Sequence, residues 1–580
     1  MISGVPLPRF DRKFFESADP LTVIGGGELG GKASGLRQIQ EDVFSRLAPD
    51  DFPYIEVGVP KAVILMTDVF DRFIERNDLA GLALSDLPDD RIGHAFQQAE
   101  LPAEVVGDLR ALISGVHSPL AVRSSSLLED ALDHPFAGVY GTKMIPNNEI
   151  EEDARFTRLV EAIRFVYATT FFAEAKAYMA SIGRSVGDEK MAVIIQEVVG
   201  QRADDRFYPC VSGVARTHNF YPTGHARPSD GVVSLALGLG KTIVDGGRSW
   251  SYSPAYPKAP PPFNDIGELL KNTQTRFWAV NMGDPPPHDP IRETEYLVEP
   301  GLAEAEADGA LRYLVSTYDP GSDRLNPGLD ARGPRALTFA PILGSRLMPF
   351  NGLIRRLMDL SEEVLESPVE IEFAINLHRK EALPARLGFL QVRQMMVAGE
   401  TVEVSGDDLV GDSVLLATEK ALGNGVRNDL VDVVFVRPEA FDPAATPEIA
   451  KELEKINHDL VAAGRNYVLI GFGRWGTSDP PLGIPVAWGQ ISGARVIVEA
   501  TLPDVQPDLS QGSHFFHNVL SFQVFYLSVE HHGPYTIDWS WLNRQPVAQA
   551  AKHATHVRLT SPLGVRVDGA TGRGVITHHD

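Results

Sequence analysis

The first alternation of polar and apolar character falls between Ile24 and Gln40. There the chain reads IGGGELGGKASGLRQIQ, with five glycines ahead of Lys32. Glycines in that density followed by helix-compatible residues predict a loop that opens into a helix. From Gly58 to Leu79, GVPKAVILMT gives a short apolar run after Pro60, and DVFDRFIERNDL then sets Val69, Phe73 and Ile74 on one helical face. A strand followed by a helix is the expectation. Ser118 to Met144 reads as an apolar strand entering a serine-rich loop with Arg123 at its head. Apolar positions from Asp153 to Ser181 recur at helical spacing, and KMAVIIQEVV, Lys190 to Val199, reads as a strand. PAYPKAPPPF from Pro254 and GDPPPHDP from Gly283 cannot continue a helix or a central strand, because proline lacks the amide donor. They predict surface loops flanking a short helix. A helical pattern returns from Ile342 to Leu365. After a boundary placed near Ala398, an amphipathic helix is predicted over Pro447–Ala463 with Gly464 as its stop. The end, Arg573–Asp580, is expected to fray.

The segment Glu370 to Arg393 holds the densest chemistry. Glu370, Glu372 and Ala374 alternate with Ile371, Phe373 and Ile375, so a strand here puts both carboxylates on one face. In LGFLQVRQM, Gln391 and Arg393 share a face, and the polar HRKEALPAR forms the connection. If the two strands pair antiparallel, two carboxylates, an amide and a guanidinium converge. Such a patch is either internally paired, as an exposed salt bridge, or holds a charged ligand. Carboxylates beside Gln and Arg suit Mg²⁺ with a polyphosphate.

Composition narrows the classes. With 580 residues, 43% hydrophobic and 22% charged, the chain is long enough for about three or four globular domains. Against 77 acidic residues stand 53 basic ones, a net charge of −24, which repels polyanions and argues against nucleic acid as a partner. Cys210 is the single cysteine, which excludes an intrachain disulfide and a thiolate zinc cluster. The opening residues lack the charged and apolar runs of a leader, and no stretch reaches the ~18 apolar residues of a membrane span. A cytoplasmic protein without a membrane partner is the expectation.

Lys32 after Gly30–Gly31 suits a phosphate cradle, although the spacing is not that of a P-loop. Arg123, ahead of Ser124, Ser125 and Ser126, offers a guanidinium beside hydroxyls, again fit for phosphate. Each signal alone is also met in ordinary turns and loops. Their order is more specific: GGKASGL (Gly30–Leu36), VRSSSLLED (Val122–Asp130), FAGVYGT (Phe136–Thr142), AVIIQEVV (Ala192–Val199), SGVA (Ser212–Ala215), GLG (Gly238–Gly240), EIEFA (Glu370–Ala374) and LQVRQ (Leu390–Gln394). This series resembles the nucleotide-binding domain of the pyruvate phosphate dikinase and phosphoenolpyruvate synthase family, over roughly the first 398 residues.

The resemblance implies an α+β chain: an ATP-grasp two-lobed nucleotide-binding fold, with lobes over 1–200 and 201–398, and an additional C-terminal α/β domain over 399–580. It assigns Lys32 and Arg123 to the phosphates of ATP, Glu372 to Mg²⁺, and Gln391 and Arg393 to the phosphoryl group in flight. Glu197 is placed near the adenine or ribose. The family usually has an acid after GLG, where this chain has Lys241.

In that family phosphate passes to a histidine on a swivelling domain and then to pyruvate in a barrel. Neither motif is found here, and 580 less 398 leaves 182 residues, so phosphoenolpyruvate synthesis by this chain alone is not expected. The C-terminal region has its own polar concentrations. GFGRWGTSDPPLGIP, Gly471 to Pro485, suits an anion or acceptor site. In SQGSHFFHN, His514 fits three roles: phosphoryl acceptor, base, or capping and packing residue; His517 reads as structural, and His531–His532 and His578–His579 as solvated. Two functions follow. The first is an ATP- and Mg²⁺-dependent phosphotransferase whose acceptor is a histidine or a small molecule, with Arg393, Gln391 and His514 in the chemistry. The second is an ATP-sensing interaction protein without turnover.

Overall fold

The computed structural model describes residues 6–48, 51–129, 138–181, 184–220, 222, 225–259, 266–329, 333–345, 348–377, 385–395, 402–477, 482–503, 524–569 and 571–579. Two compact units divide the chain, one of Met1–Ile243 with Arg248–Met395, the other of Val244–Gly247 with Met396–Asp580. Helices and sheets are mixed in both, an α+β chain. No helix among the described residues is long and apolar enough to cross a membrane.

In the first unit a five-stranded sheet runs in the order Leu21–Ile24, Ala62–Leu65, Met191–Glu197, Leu120–Ser126, Thr142–Ile145. Met191–Glu197 lies at its centre and is buried through Gln196, which is why its sequence is a nearly unbroken apolar run. The helix expected after Ala62–Leu65 spans Thr67–Arg76. Val69 and Phe73 are fully buried there and Ile74 only partly, while Phe70 and Phe73 set their rings 5.0 and 5.2 Å from that of Tyr167. Tyr167 belongs to the helix Glu152–Thr169, the first of two into which the 153–181 pattern divides.

One local expectation is corrected. Ser124–Ser126 are not a loop: the strand runs through them, paired with Met191–Val193. Serines survive in this buried strand because each hydroxyl has a partner, in Glu129, the Leu29 carbonyl or the Glu129 amide.

A six-stranded sheet is ordered Trp250–Tyr252, Val232–Ala236, Val211–Arg216, Val369–Asn376, Ala385–Gln394, Ile55–Gly58. Its apolar face, with Val233, Ala215, Ile371 and Phe373, joins the core shared with Phe350, Leu353 and Leu357 of the helix Phe350–Leu365. Gly213 is required on that face, since a Cβ would sit 2.1 Å from the Phe373 ring. The opposite face carries Arg216, Glu370, Glu372, Gln391 and Arg393. Four-stranded and three-stranded sheets complete the unit.

The second unit is built on a nine-stranded mixed sheet. Gly425–Val436, Tyr467–Phe472, Ala494–Ala500 and Phe525–Val529 are successively parallel, and the helix Thr446–Ala462 makes the first crossover. Gly464 follows that helix at φ +65°, as a glycine stop requires. The remaining pairings are antiparallel. Val414–Thr418 pairs at one end of the sheet, yet Ala421–Leu422 pairs with Phe525–Val529 at the other, so the two ends meet and the sheet closes on itself. Arg573–Thr577 does not fray: it is a strand with Val575 and Ile576 fully buried. His578 is likewise not solvated, being buried and stacked on Trp541 at 4.3 Å between ring centres. His531 and His532 are exposed as expected.

Candidate functional site

The glycine loop and the strand Leu120–Ser126 are locked together. Gly30 stands at φ +75° immediately before the helix Gly31–Gln38, and a Cβ there would lie 1.8 Å from the Ser125 carbonyl oxygen. No side chain fits between these backbones. The Ala33 amide donates to Ser125 Oγ at 3.1 Å, and that hydroxyl donates to the Leu29 carbonyl at 2.9 Å. The helix N-terminus is thus held on the serines. One turn along, a Cβ on Gly35 would meet Val392 of the six-stranded sheet at 3.2 Å, so the same short helix packs against both sheets.

Lys32 emerges at this junction. Its Nζ lies 2.6 Å from Glu129 Oε1 and 3.1 Å from Ser124 Oγ. Glu129 is buried, and its other oxygen accepts the Ser126 amide at 2.8 Å. The lysine therefore has a firm carboxylate partner that the sequence reading gave no role. The signal was present in LLED, directly after the serines. Behind it Tyr140 Oη donates to Glu189 Oε2 at 3.0 Å, and burial pushes the Glu189 carboxyl up to about 7.

Arg123 spans the sheets. Pairing of Ala385–Gln394 with Ile55–Gly58 stops at Gly388, which leaves the Leu390 carbonyl at an uncovered strand edge. Arg123 Nη1 donates to that carbonyl at 2.9 Å, while Nη2 donates to Gln391 Oε1 at 2.8 Å and lies 3.6 Å from Glu372 Oε2. Gln196, on the neighbouring strand, is 3.4 Å from Nη1. The expected antiparallel hairpin is present, with Glu372 opposite Gln391 and Glu370 opposite Arg393. A register shift after Glu372 accommodates Leu390. Its connecting segment, 378–384, lies outside the described residues.

The two acids of the hairpin differ in their surroundings. Glu370 is buried, with Oε1 on Arg393 and Oε2 2.6 Å from Arg216 Nε. Both its oxygens are engaged by guanidinium groups, so it is a poor metal ligand. Glu372 is 17% exposed, and Arg123 is its one cationic neighbour within 4 Å among the described residues. A single accessible carboxylate fits Mg²⁺, which is bound through one or two carboxylates with substrate oxygens and water filling the octahedron.

Of the residues singled out from the sequence, Arg123, Gln391 and Glu372 are brought into one cluster, with Arg393 one row along on Glu370. Lys32 lies at the C-terminal end of the strand that bears Arg123, on the side of Ser124. Glu197 is held elsewhere: it is register partner of Leu120, three residues or ~10 Å along from Arg123, and accepts from Ser118 Oγ at 2.7 Å. Lys241 begins the short helix Lys241–Val244, with Nζ 3.9 Å from Glu293. His514 and His517 lie outside the described residues. In the second unit Glu448, Glu452 and His553 present ligand atoms within 4.8 Å of one another. Glu452 there accepts the His553 and Ala554 amides, and Lys552 pairs with Glu448, so the group is explained as an anchor of the strand to the helix.

A glycine loop on a helix N-terminus, an arginine joining two sheets, and an acid, amide and guanidinium on one hairpin stand together in this α+β unit, a set of groups whose chemistry suits a polyanion. Comparison with known proteins shows what part of this chain is similar to. Residues 27–266 match the profile of the pyruvate phosphate dikinase AMP/ATP-binding domain, so the resemblance read from the ordered motifs is shown over those residues. An uncharacterized phosphotransferase of Bacillus subtilis, YvkC, is 26% identical over 188 residues, 32% of this chain and 20% of that protein. The phosphoenolpyruvate synthase of Aeropyrum pernix is 26% identical over 242 residues, 38% of this chain and 25% of that enzyme. The matches thus cover a fifth to a quarter of these relatives' lengths. The profile includes Lys32, Arg123 and Glu197 but ends before the hairpin, whose membership of the site rests on Arg123 alone.

Proposed function

We propose that this chain is an ATP- and Mg²⁺-dependent phosphotransferase whose nucleotide is held between the five- and six-stranded sheets in the ATP-grasp manner. The observation that carries the reading is Arg123, rooted in one sheet and bonded to Gln391 and the Leu390 carbonyl of the other. A guanidinium in that place joins the two halves of a clamp and offers charge to whatever anion enters it.

In this reading Lys32 exchanges Glu129 for phosphate oxygens, and Arg123 binds a neighbouring phosphate. Glu372 holds Mg²⁺, which when bound neutralises charge shared between phosphates. Gln391 and Arg393 orient and offset charge on the transferred phosphoryl group. Their contribution is electrostatic: donors fixed in a water-poor cleft need no reorganisation as charge develops. Glu197 takes the ribose or adenine side. The acceptor is a small molecule or a histidine, with His514 the first candidate, and with a single cysteine the chain suits the reducing cytoplasm.

Calorimetry with Mg·ATP and turnover of ATP labelled at the β or γ position test this reading. Binding in the micromolar range, label transfer, and loss of transfer in Glu372→Ala support it. Absence of binding, together with an unaltered Glu372→Ala, refutes it. Mapping of acid-labile label then decides whether His514 is the acceptor. Lys241, in place of the acid usual after GLG, favours the second reading, an ATP sensor. Tight binding without any ADP, AMP or phosphoenzyme would select the sensor.

A further inference from the structure

Arg216 lies in none of the motif positions given a role above, yet it completes a ladder across three adjacent strands. Arg216 is register partner of Glu370, and Glu370 is register partner of Arg393, so the three side chains share one face of the sheet. Their exposures are 2%, 2% and 7%. Glu370 divides its carboxylate between them: Oε1 takes Arg393, and Oε2 lies 2.6 Å from Arg216 Nε. Arg216 Nη2 is buried with no hydrogen-bond partner among the described residues.

A merely structural account of Arg216 is weak. Its predecessors on the same face are Val214 and Ser212, and an apolar side chain would fill such a position without the cost of burying a donor left unmade. Guanidinium at this point does two things an apolar group cannot. It fixes the plane of the Glu370 carboxylate, and hence the orientation of the Arg393 fork that bonds to it. It also competes with Arg393 for one carboxylate, which leaves Arg393 less neutralised and a better partner for an anion.

Resting on the phosphotransfer reading, we propose that Arg216 is a positioning residue that acts through Glu370 to present Arg393 to the anionic phosphoryl group. It affects the transferring group more than the bound nucleotide, because the ladder lies one row from the Arg123–Gln391–Glu372 cluster.

A double-mutant cycle on the full chain tests this, with Arg216→Met, Glu370→Gln and the pair, each measured for Mg·ATP Kd, ATP turnover and thermal midpoint. Arg216→Met lowers kcat about 100-fold with Kd within about threefold, and in the Glu370→Gln background the same change costs less than about threefold. Arg216→Lys restores kcat to within about tenfold of wild type. Should Arg216→Met fail to fold, Arg216→Lys takes its place in the cycle, where a fall in kcat confined to the Glu370 background supports the inference. An unchanged kcat, or equal factors in both backgrounds, overturns it while the wild type still turns over ATP. A wild type that neither binds nor turns over ATP overturns the phosphotransfer reading and the inference with it.

Discussion

At the scale of single residues, the site depends on places where one side chain or none is tolerated. Gly30 combines φ +75° with a backbone contact that a Cβ would bring to 1.8 Å. Gly30→Ala is therefore expected to cost about 2–3 kcal/mol in urea unfolding and to weaken Mg·ATP binding, since the helix bearing Lys32 would be displaced. Glu189 supplies a pH signature. Burial raises its carboxyl from 4.5 to about 7, so the folded state holds a proton that the unfolded state has released. Its contribution to stability is fully present below pH 4.5 and is lost as the pH rises through about 7. Glu189→Gln should remove that part of the decline, a gain of about 3 kcal/mol over wild type at pH 8 relative to pH 4.5, read from unfolding midpoints across that range. Lys32, Arg123, Gln391 and Arg393 were legible because each stands in a short, chemically loaded string. Arg216 was not, since its significance is the partner it meets; Glu129 stood in the same string as Arg123, but its pairing with Lys32 across 97 positions did not show there.

At the scale of elements, the periodic segments were read correctly where one face is buried and misread where polarity was taken for exposure. The strand at 191–197 and the helix at 446–462 follow from apolar pattern alone. The serines after Arg123 were taken for a loop, yet Glu129 and the glycine loop at Leu29 supply hydrogen-bond partners for all three hydroxyls of a strand inside the sheet. The same holds for the edge strand Thr142–Ile145, where Lys143 is 1% exposed. Its ammonium pairs with Glu295 and donates to the Asp289 and Arg292 carbonyls at 3.1 and 2.9 Å, so it anchors the proline-rich segment after Gly283. Lys143→Met, which leaves the buried Glu295 with His288 as its remaining partner, is expected to cost about 3 kcal/mol, near the lower end for broken buried pairs, measured by denaturant unfolding. Replacing both residues by apolar ones should recover most of that loss.

At the scale of the whole molecule, ligand linkage is the test. A nucleotide that binds the folded first unit at 100 times its Kd stabilises it by about 2.7 kcal/mol, so Mg·ATP should raise its thermal midpoint by several degrees, and EDTA should remove most of the gain. The second unit should unfold with an unchanged midpoint if its own transition is resolved. By itself the sequence determined the classes of element, the acidic and cysteine-poor character of the chain, and the strings of residues from which the proposed phosphate site is drawn. It did so because periodicity and local chemistry act over a few positions. Only the tertiary structure decided that Arg123 meets Gln391 across 268 positions, that Glu370 is spent on two arginines while Glu372 is not, and that the last strand lies inside the second sheet between Val414–Thr418 and Ala554–Asp568. Those outcomes depend on which strands become neighbours and in what register, a property of the packed core that no local pattern specifies.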